Sequence, residues 1–195
     1  QINTHIMNFY SDEIINSIID NEDVGTIIDS IETFKLQCKY VITKYSLYKI
    51  YHKYTDWILK DQNAIIAFYC LDREFCIYNC PSMLVYRKIK YNDEVRYYIL
   101  LTCTKRSFRG QGYGTLLLDE FQKRIHKETK YHANKPQKII LSSVEDAVLF
   151  YENYGFRWTR DTLNDHPTLC FYEATDDNKE HFICLLYTSP SPRDG

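Results

Sequence analysis

An excess of charge of either sign is absent from this sequence. Across 195 residues, 24 lysines and arginines face 26 aspartates and glutamates, for a formal net charge of −2. Proteins that neutralise nucleic-acid phosphates are usually strongly basic, so the balance argues against a dedicated nucleic-acid binder. A long hydrophobic run is also absent, which excludes a membrane-spanning helix. Internal repeats are missing, and low-complexity disorder does not fit a chain with 15% aromatic residues. No signal peptide precedes the seven cysteines. They are dispersed and odd in number, which points to a reducing, intracellular compartment, cytoplasmic or nuclear. Cys70, Cys76 and Cys80 invite a zinc site. Structural zinc sites need a second cysteine pair or closely spaced histidines, and neither follows here. No metal is expected, and the three read as buried or half-buried thiols in and after a strand.

What is present is enough chain for one domain with a full core. The expected division is a variable helical part over 1–61, a core over 62–174 and a tail over 175–195. The first residue is Gln1, with Met7 a possible start. Residues 184–194 resemble the translation of a sequencing adapter, so 184–195 is set aside from the fold as artefactual. In the first part, Ser11-Asp12-Glu13 precedes Ile14, Ile15, Ile18 and Ile19, a helical spacing with an N-cap candidate. Ile27, Ile28, Ile31 and Phe34 predict a second helix. Residues 37–61 are ambiguous. Tyr40 to Thr43 looks extended, whereas Leu47, Ile50, Tyr51, Tyr54, Trp57 and Ile58 follow helical spacing. The acidic run from Asp12 to Glu32 would favour a cationic partner if it borders a site, and is otherwise a solvated face.

The middle of the chain predicts an antiparallel meander of three strands, Ala64 to Leu71, Met83 to Tyr91 and Val95 to Thr104, with turn-forming residues between them. Tyr113, Leu116, Leu117, Phe121 and Ile125 then mark an amphipathic helix. Its basic face, Lys123 to Lys130, is interleaved with Glu120 and Glu128 and reads as a solvated surface. A short strand at Ile139-Ile140-Leu141 follows. A helix through Ala147, Phe150, Tyr151 and Tyr154 is stopped by Gly155 as a left-handed cap. Strands at Phe156 to Thr159 and Thr168 to Ala174 close the pattern. This order gives an α+β (mixed α/β) fold.

The chemistry concentrates between Thr102 and Thr115. Glycines at 110, 112 and 114 let the backbone turn tightly before the helix. The amides at the start of that helix, aided by its dipole, form a ready anion site. Lys105, Arg106 and Arg109 add positive charge. Together these features predict a bound phosphate or pyrophosphate. A Walker loop is ruled out because no lysine follows the glycines. A dinucleotide fingerprint fails on glycine spacing and on the antiparallel strands before it.

Arg109-Gly110-Gln111-Gly112-Tyr113-Gly114 resembles the Q/R-x-x-G-x-G/A motif of the GCN5-related N-acetyltransferase superfamily. Ala147-Val148-Leu149-Phe150-Tyr151-Glu152-Asn153-Tyr154-Gly155-Phe156 resembles the second motif of that family, A-x-x-x-Y-E-x-x-G-F, in the order the family uses. The general look of the chain also resembles members encoded by large DNA viruses. The resemblance covers residues 62–174. It implies a central mixed sheet whose fourth and fifth strands splay apart, flanked by helices. It implies acetyl-CoA as co-substrate and direct transfer of the acetyl group to a primary amine. The acceptor is open between a protein N-terminus, a lysine, a polyamine and another small amine. A different acyl donor, or a non-catalytic acyl-CoA-binding or interaction module on the same fold, is the alternative.

By position, the resemblance implies that the amides of Gln111, Gly112, Tyr113, Gly114 and Thr115 hold the pyrophosphate, with Arg109 and Gly110 shaping the turn. Thr102, Cys103 and Thr104 would pair with the pantetheine arm, and an N–H near Thr102 or Cys103 would polarise the thioester carbonyl. Tyr151 would protonate the leaving sulfur, since a phenol with its ordinary pKa of about 10 is protonated at neutral pH. Tyr151 could equally be a packed aromatic, and Tyr154 is the neighbour most easily confused with it. The base is open. Residues 97–104 contain no carboxylate, leaving Glu94, Tyr98, Glu145 and His166 as candidates. Val144 stands where many members carry asparagine. Cys103 beside the thioester path reads as a small apolar filler rather than an acyl carrier.

Overall fold

The computed structural model describes residues 6–20, 31–45, 52–91, 94–129, 138–163 and 166–172. The chain divides into two units, one of residues 1–87 and 101–130, the other of 88–100 and 131–195.

The first unit is built around strand β2 (Ala64–Cys70). Strand β1 (Ile6–Tyr10) pairs with it antiparallel on one side, from Ile6 opposite Cys70 to Tyr10 opposite Ile66. Strand β3 (Ser82–Tyr91) pairs antiparallel on the other, from Ala64 opposite Arg87 to Tyr69 opposite Ser82. A strand paired on both edges must bury its backbone, and β2 also buries almost all its side chains, Ala67 and Phe68 completely.

Helix α1 (Asp12–Asp20) starts where the sequence places its cap: the Ile14 amide donates to Ser11 Oγ at 3.2 Å. Ile15 is buried, whereas Ile14 is exposed. Asp12 is not a loose acidic residue, because it pairs with Lys35 at 3.0 Å.

Helix α2 (Ile31–Tyr45) corrects the extended reading of Tyr40 to Thr43. Phe34, Cys38, Val41 and Ile42 lie on one helical face and are all buried. That shared burial outweighs the local preference of a Tyr-Val-Ile-Thr run for extended backbone. Helix α3 (His52–Lys60) buries Thr55, Ile58 and Leu59 but leaves Trp57 exposed. Ile27, Ile28, Leu47, Ile50 and Tyr51 lie outside the described residues, as does 173–195. Helix α4 (Tyr113–Thr129) buries Leu117, Leu118, Phe121 and Ile125. Its solvent face carries the Lys123–Glu120 and Arg124–Glu128 pairs at 3.0 and 3.3 Å.

The second unit holds a mixed sheet. Strand β4 (Glu94–Thr104) belongs to this unit as far as Leu100 and there pairs in parallel with β5 (Lys138–Ser142), from Arg96 opposite Lys138 to Ile99 opposite Leu141. Two parallel neighbours require a long crossover, and the connection between them contains α4. Strand β7 (His166–Tyr172) runs antiparallel to β5, and β6 (Arg157–Leu163) antiparallel to β7. These last strands are shifted from the expected bounds. The β6–β7 register breaks between Trp158 and Thr162, where Arg160 takes a positive φ of 73°. A bulge of this kind is invisible to alternation counting. Helix α5 (Val148–Tyr154) follows a 3-10 turn at Glu145–Ala147. Tyr97, Ile99, Ile139, Leu141, Val148, Tyr151, Phe156 and Leu169 are the unit's buried apolar side chains among the described residues. The fold is α+β, as the element order predicts. No helix among the described residues is long and apolar enough to cross a membrane.

Candidate active site

In the first unit, the strand-to-helix turn from Thr102 to Thr115 is braced by its own side chains. After β4, Arg106–Phe108 forms a 3-10 turn. The Phe108 amide donates to Lys105 O at 2.8 Å and the Arg109 amide to Arg106 O at 3.3 Å. Arg109 Nε reaches back to Thr104 O at 3.1 Å, and Gln111 Nε2 donates to Ser107 O at 3.2 Å. Lys105 Nζ donates to Tyr78 O at 2.9 Å and lies 5.9 Å from the centre of the Phe108 ring. Two of the three cations expected to serve an anion therefore spend hydrogen bonds on fixing the turn. Arg106 is exposed.

Gly110 and Gly112 take φ values of 75° and 85°, a region costly for any residue with a β-carbon. A β-carbon at either position would meet no atom within 4 Å. Glycine is thus required by the backbone conformation, and the space above the turn is open. Helix α4 begins directly after, with the Leu116 amide donating to Gly112 O at 3.0 Å. The amides of Tyr113, Gly114 and Thr115 precede that bond, so they have no acceptor inside the helix. Tyr113 is anchored by Ser82 Oγ, which donates to its carbonyl at 3.0 Å, and by ring contacts with Tyr69 and Phe108 at 6.1 and 5.4 Å.

Two strand residues complete this side. Thr102 Oγ1 is buried with no hydrogen-bond partner among the described residues. A buried hydroxyl left unsatisfied is costly, and it fits a site completed by a polar ligand. Cys103 is buried, and that burial pushes its thiol up to about 12. It remains protonated at neutral pH, as a packing residue would, and is a poor nucleophile.

Tyr151 stands in the second unit, on α5. Gly155, at φ 129°, ends that helix. The Phe156 amide donates to Tyr151 O at 2.9 Å and the Gly155 amide to Glu152 O at 3.1 Å. This is the Schellman pattern, with its apolar contact supplied by the Phe156 ring 5.4 Å from that of Tyr151. The motif A-x-x-x-Y-E-x-x-G-F thus has a structural content: glycine turns the chain, and phenylalanine packs on the tyrosine. Tyr151 is 8% exposed.

The base candidates fare differently. Tyr98 Oη lies 3.1 Å from Ser142 Oγ, a cross-strand pair in the second unit. Glu145 is exposed. The side chains of Glu94 and His166 lie outside the described residues. Val144 is exposed, and its carbonyl accepts from Ser143 Oγ at 2.8 Å. Among the described residues there is no cluster of three histidine, cysteine, aspartate or glutamate side chains able to hold a metal. Sequence reasoning missed Ser82, whose bond to Tyr113 spans 31 positions and has no local signature. It also named Thr102 for its backbone and overlooked its hydroxyl.

Comparison with known proteins completes the picture. No curated protein matches the sequence. The catalytic domain of Tetrahymena GCN5 histone acetyltransferase, solved with coenzyme A, superposes with a TM-score of 0.56 at 12% identity, covering 90% of this chain and 98% of that one. A Lactobacillus plantarum protein assigned as an N-acetyltransferase gives a TM-score of 0.51 at 16% identity, covering 88% and 98%. Both likenesses establish the fold, and neither relative is viral. The family model for the acetyltransferase (GNAT) domain matches residues 52–158, more than half of the sequence. By that match, by the glycine turn that opens α4 and by the capped tyrosine helix, this chain belongs to the GNAT acetyltransferase family.

Proposed function

We propose that the protein is an N-acetyltransferase that uses acetyl-CoA and moves the acetyl group directly to a primary amine. The observation that carries this reading is the turn itself. Two positive-φ glycines, open space above them and a helix start whose first amides have no acceptor within the helix suit a pyrophosphate. The buried hydroxyl of Thr102, with no partner among the described residues, fits the same ligand.

The co-substrate supplies an acetyl group already activated as a thioester. The chain's residues do the rest. The amides of Gln111 to Thr115 hold the pyrophosphate. Arg109 and Gly110 keep the turn in shape. The backbone of Thr102, Cys103 and Thr104 aligns the pantetheine arm, and an N–H near Thr102 or Cys103 points at the thioester carbonyl. Tyr151 Oη delivers its proton to the departing sulfur. The acceptor is a primary amine on a peptide or a small molecule.

Two variants of the first unit test the cradle. Gly112→Ala places a β-carbon on a left-handed backbone at a cost of about 1–3 kcal/mol, with no clash to prevent folding. CoA should bind about tenfold or more weakly by calorimetry, and the rise in Tm that saturating CoA gives the wild type should shrink. Thr102→Val removes a hydroxyl that has no hydrogen-bond partner among the described residues, so Tm should hold or rise. Its KM for acetyl-CoA should increase about tenfold, the loss of one hydrogen bond. Folded wild-type protein whose Tm ignores CoA would overturn the proposal.

A further inference from the structure

Cys70 ends β2, and Cys80 lies just before β3. Their Sγ atoms are 3.0 Å apart, ten positions apart in sequence, and both side chains are buried. Each sulfur has a further partner. Asn8 Nδ2 donates to Cys70 Sγ at 3.1 Å, and Cys80 Sγ donates to Cys76 O at 3.2 Å. The two thiols are therefore held in contact by β1 on one side and by the 3-10 turn Ile77–Asn79 on the other. A metal does not explain the arrangement. Cys76 reaches Cys80 through its carbonyl, Asn8 presents a donor nitrogen, and no third ligand side chain joins the pair among the described residues.

We propose that Cys70 and Cys80 are a redox-active dithiol, a modification site at which hydrogen peroxide closes an intrachain disulfide. The assignment of roles follows from the outer partner of each sulfur: Cys70 faces a donor, Asn8 Nδ2, whereas Cys80 faces an acceptor, Cys76 O. Cys70 accepts from Asn8 Nδ2, and its thiol is shifted down, the contact with the Cys80 sulfur contributing most and the Asn8 bond adding to it. Cys80, whose thiol proton goes to Cys76 O, is shifted up by its contact with Cys70 and by burial. Cys70 is thus the attacking sulfur. It takes one peroxide oxygen as a sulfenic acid, and the other leaves as water. The Cys80 sulfur then displaces that oxygen as a second water, forming the S–S bond. Two thiols lose two electrons and two protons, and one peroxide is reduced to two waters. The covering segment is thin: Asp72, Arg73, Glu74, Tyr78 and Asn79 are exposed around it, and peroxide is scarcely larger than water.

The site does not depend on the acetyltransferase reading, although its frame is shared. Pro81 O accepts from the Lys105 amide at 2.8 Å and Tyr78 O from Lys105 Nζ at 2.9 Å.

The test uses the reduced full-length chain, treated with hydrogen peroxide, quenched with catalase and alkylated with N-ethylmaleimide in denaturant. Intact mass should show two fewer maleimides than the untreated chain. Peptide mapping should recover a Cys70–Cys80 cross-link that dithiothreitol reverses. Cys76→Ser should give the same cross-link, and wild type unfolded in urea should form it at least about tenfold more slowly, because folding supplies the proximity. Full alkylation after peroxide, a link through Cys76, stable oxygen adducts without a link, or equal rates in urea would each overturn the proposal.

Discussion

Replacing Tyr151 with phenylalanine is expected to lower kcat for acetyl transfer by about 100-fold or more, with KM for acetyl-CoA changed less than about threefold. In the proposed mechanism the Tyr151 Oη proton would be needed as the sulfur departs and not while the co-substrate binds, so its loss should fall on the chemical step. Phenylalanine keeps the ring that stacks against Phe150 at 5.3 Å and Phe156 at 5.4 Å. The variant should therefore fold, with stability within about 1.5 kcal/mol of the wild type. Tyr154→Phe is the control. Tyr154 is half-buried against the same Phe156 ring at 6.1 Å, and its variant should retain kcat. A Tyr151→Phe enzyme with unchanged kcat would reduce Tyr151 to a packed aromatic.

The largest stability effect is expected at Phe156. Phe156→Ala should destabilise the protein by about 3–5 kcal/mol, measured by urea denaturation. Phe156 is fully buried. Its amide closes the Schellman turn on Tyr151 O, and its ring contacts those of Tyr151 and Tyr154. Truncation leaves a cavity beside the end of α5, where the helix has seven residues and little stability of its own. A loss below about 1 kcal/mol would show that the cap, rather than the ring, holds this end of the helix.

The parts of the molecule legible from sequence are those fixed by local backbone geometry. Gly110, Gly112 and Gly155 were readable because a left-handed backbone restricts residue choice almost to glycine, and all three have positive φ. Ser11 was readable for the same kind of reason, a cap acting over three residues. What stayed hidden depends on partners distant in sequence. Strand β1 becomes a strand by pairing with β2, some 60 residues later. Tyr40 to Thr43 is helical because Val41 and Ile42 share a buried face with Phe34 and Cys38. Lys105 and Arg109 looked like ligand-facing cations, since nothing local shows that Tyr78 O and Thr104 O receive them. The Cys70–Cys80 contact was hidden likewise: a spacing of ten says nothing until β2 and β3 are paired. The catalytic base lacks any local rule, and no backbone feature singles out one candidate.

The central claim, acetyl transfer to an amine, is tested most directly by incubating the full chain with acetyl-CoA and a panel of amines. The panel should contain peptide N-termini, lysine peptides, polyamines and aminosugars. Free thiol and the mass of each amine are then followed together. The account predicts thiol release matched by one acetyl group gained on one class of amine, and lost on Tyr151→Phe. CoA binding without acetylation of any amine would contradict catalysis and leave an acyl-CoA-binding module on the same fold.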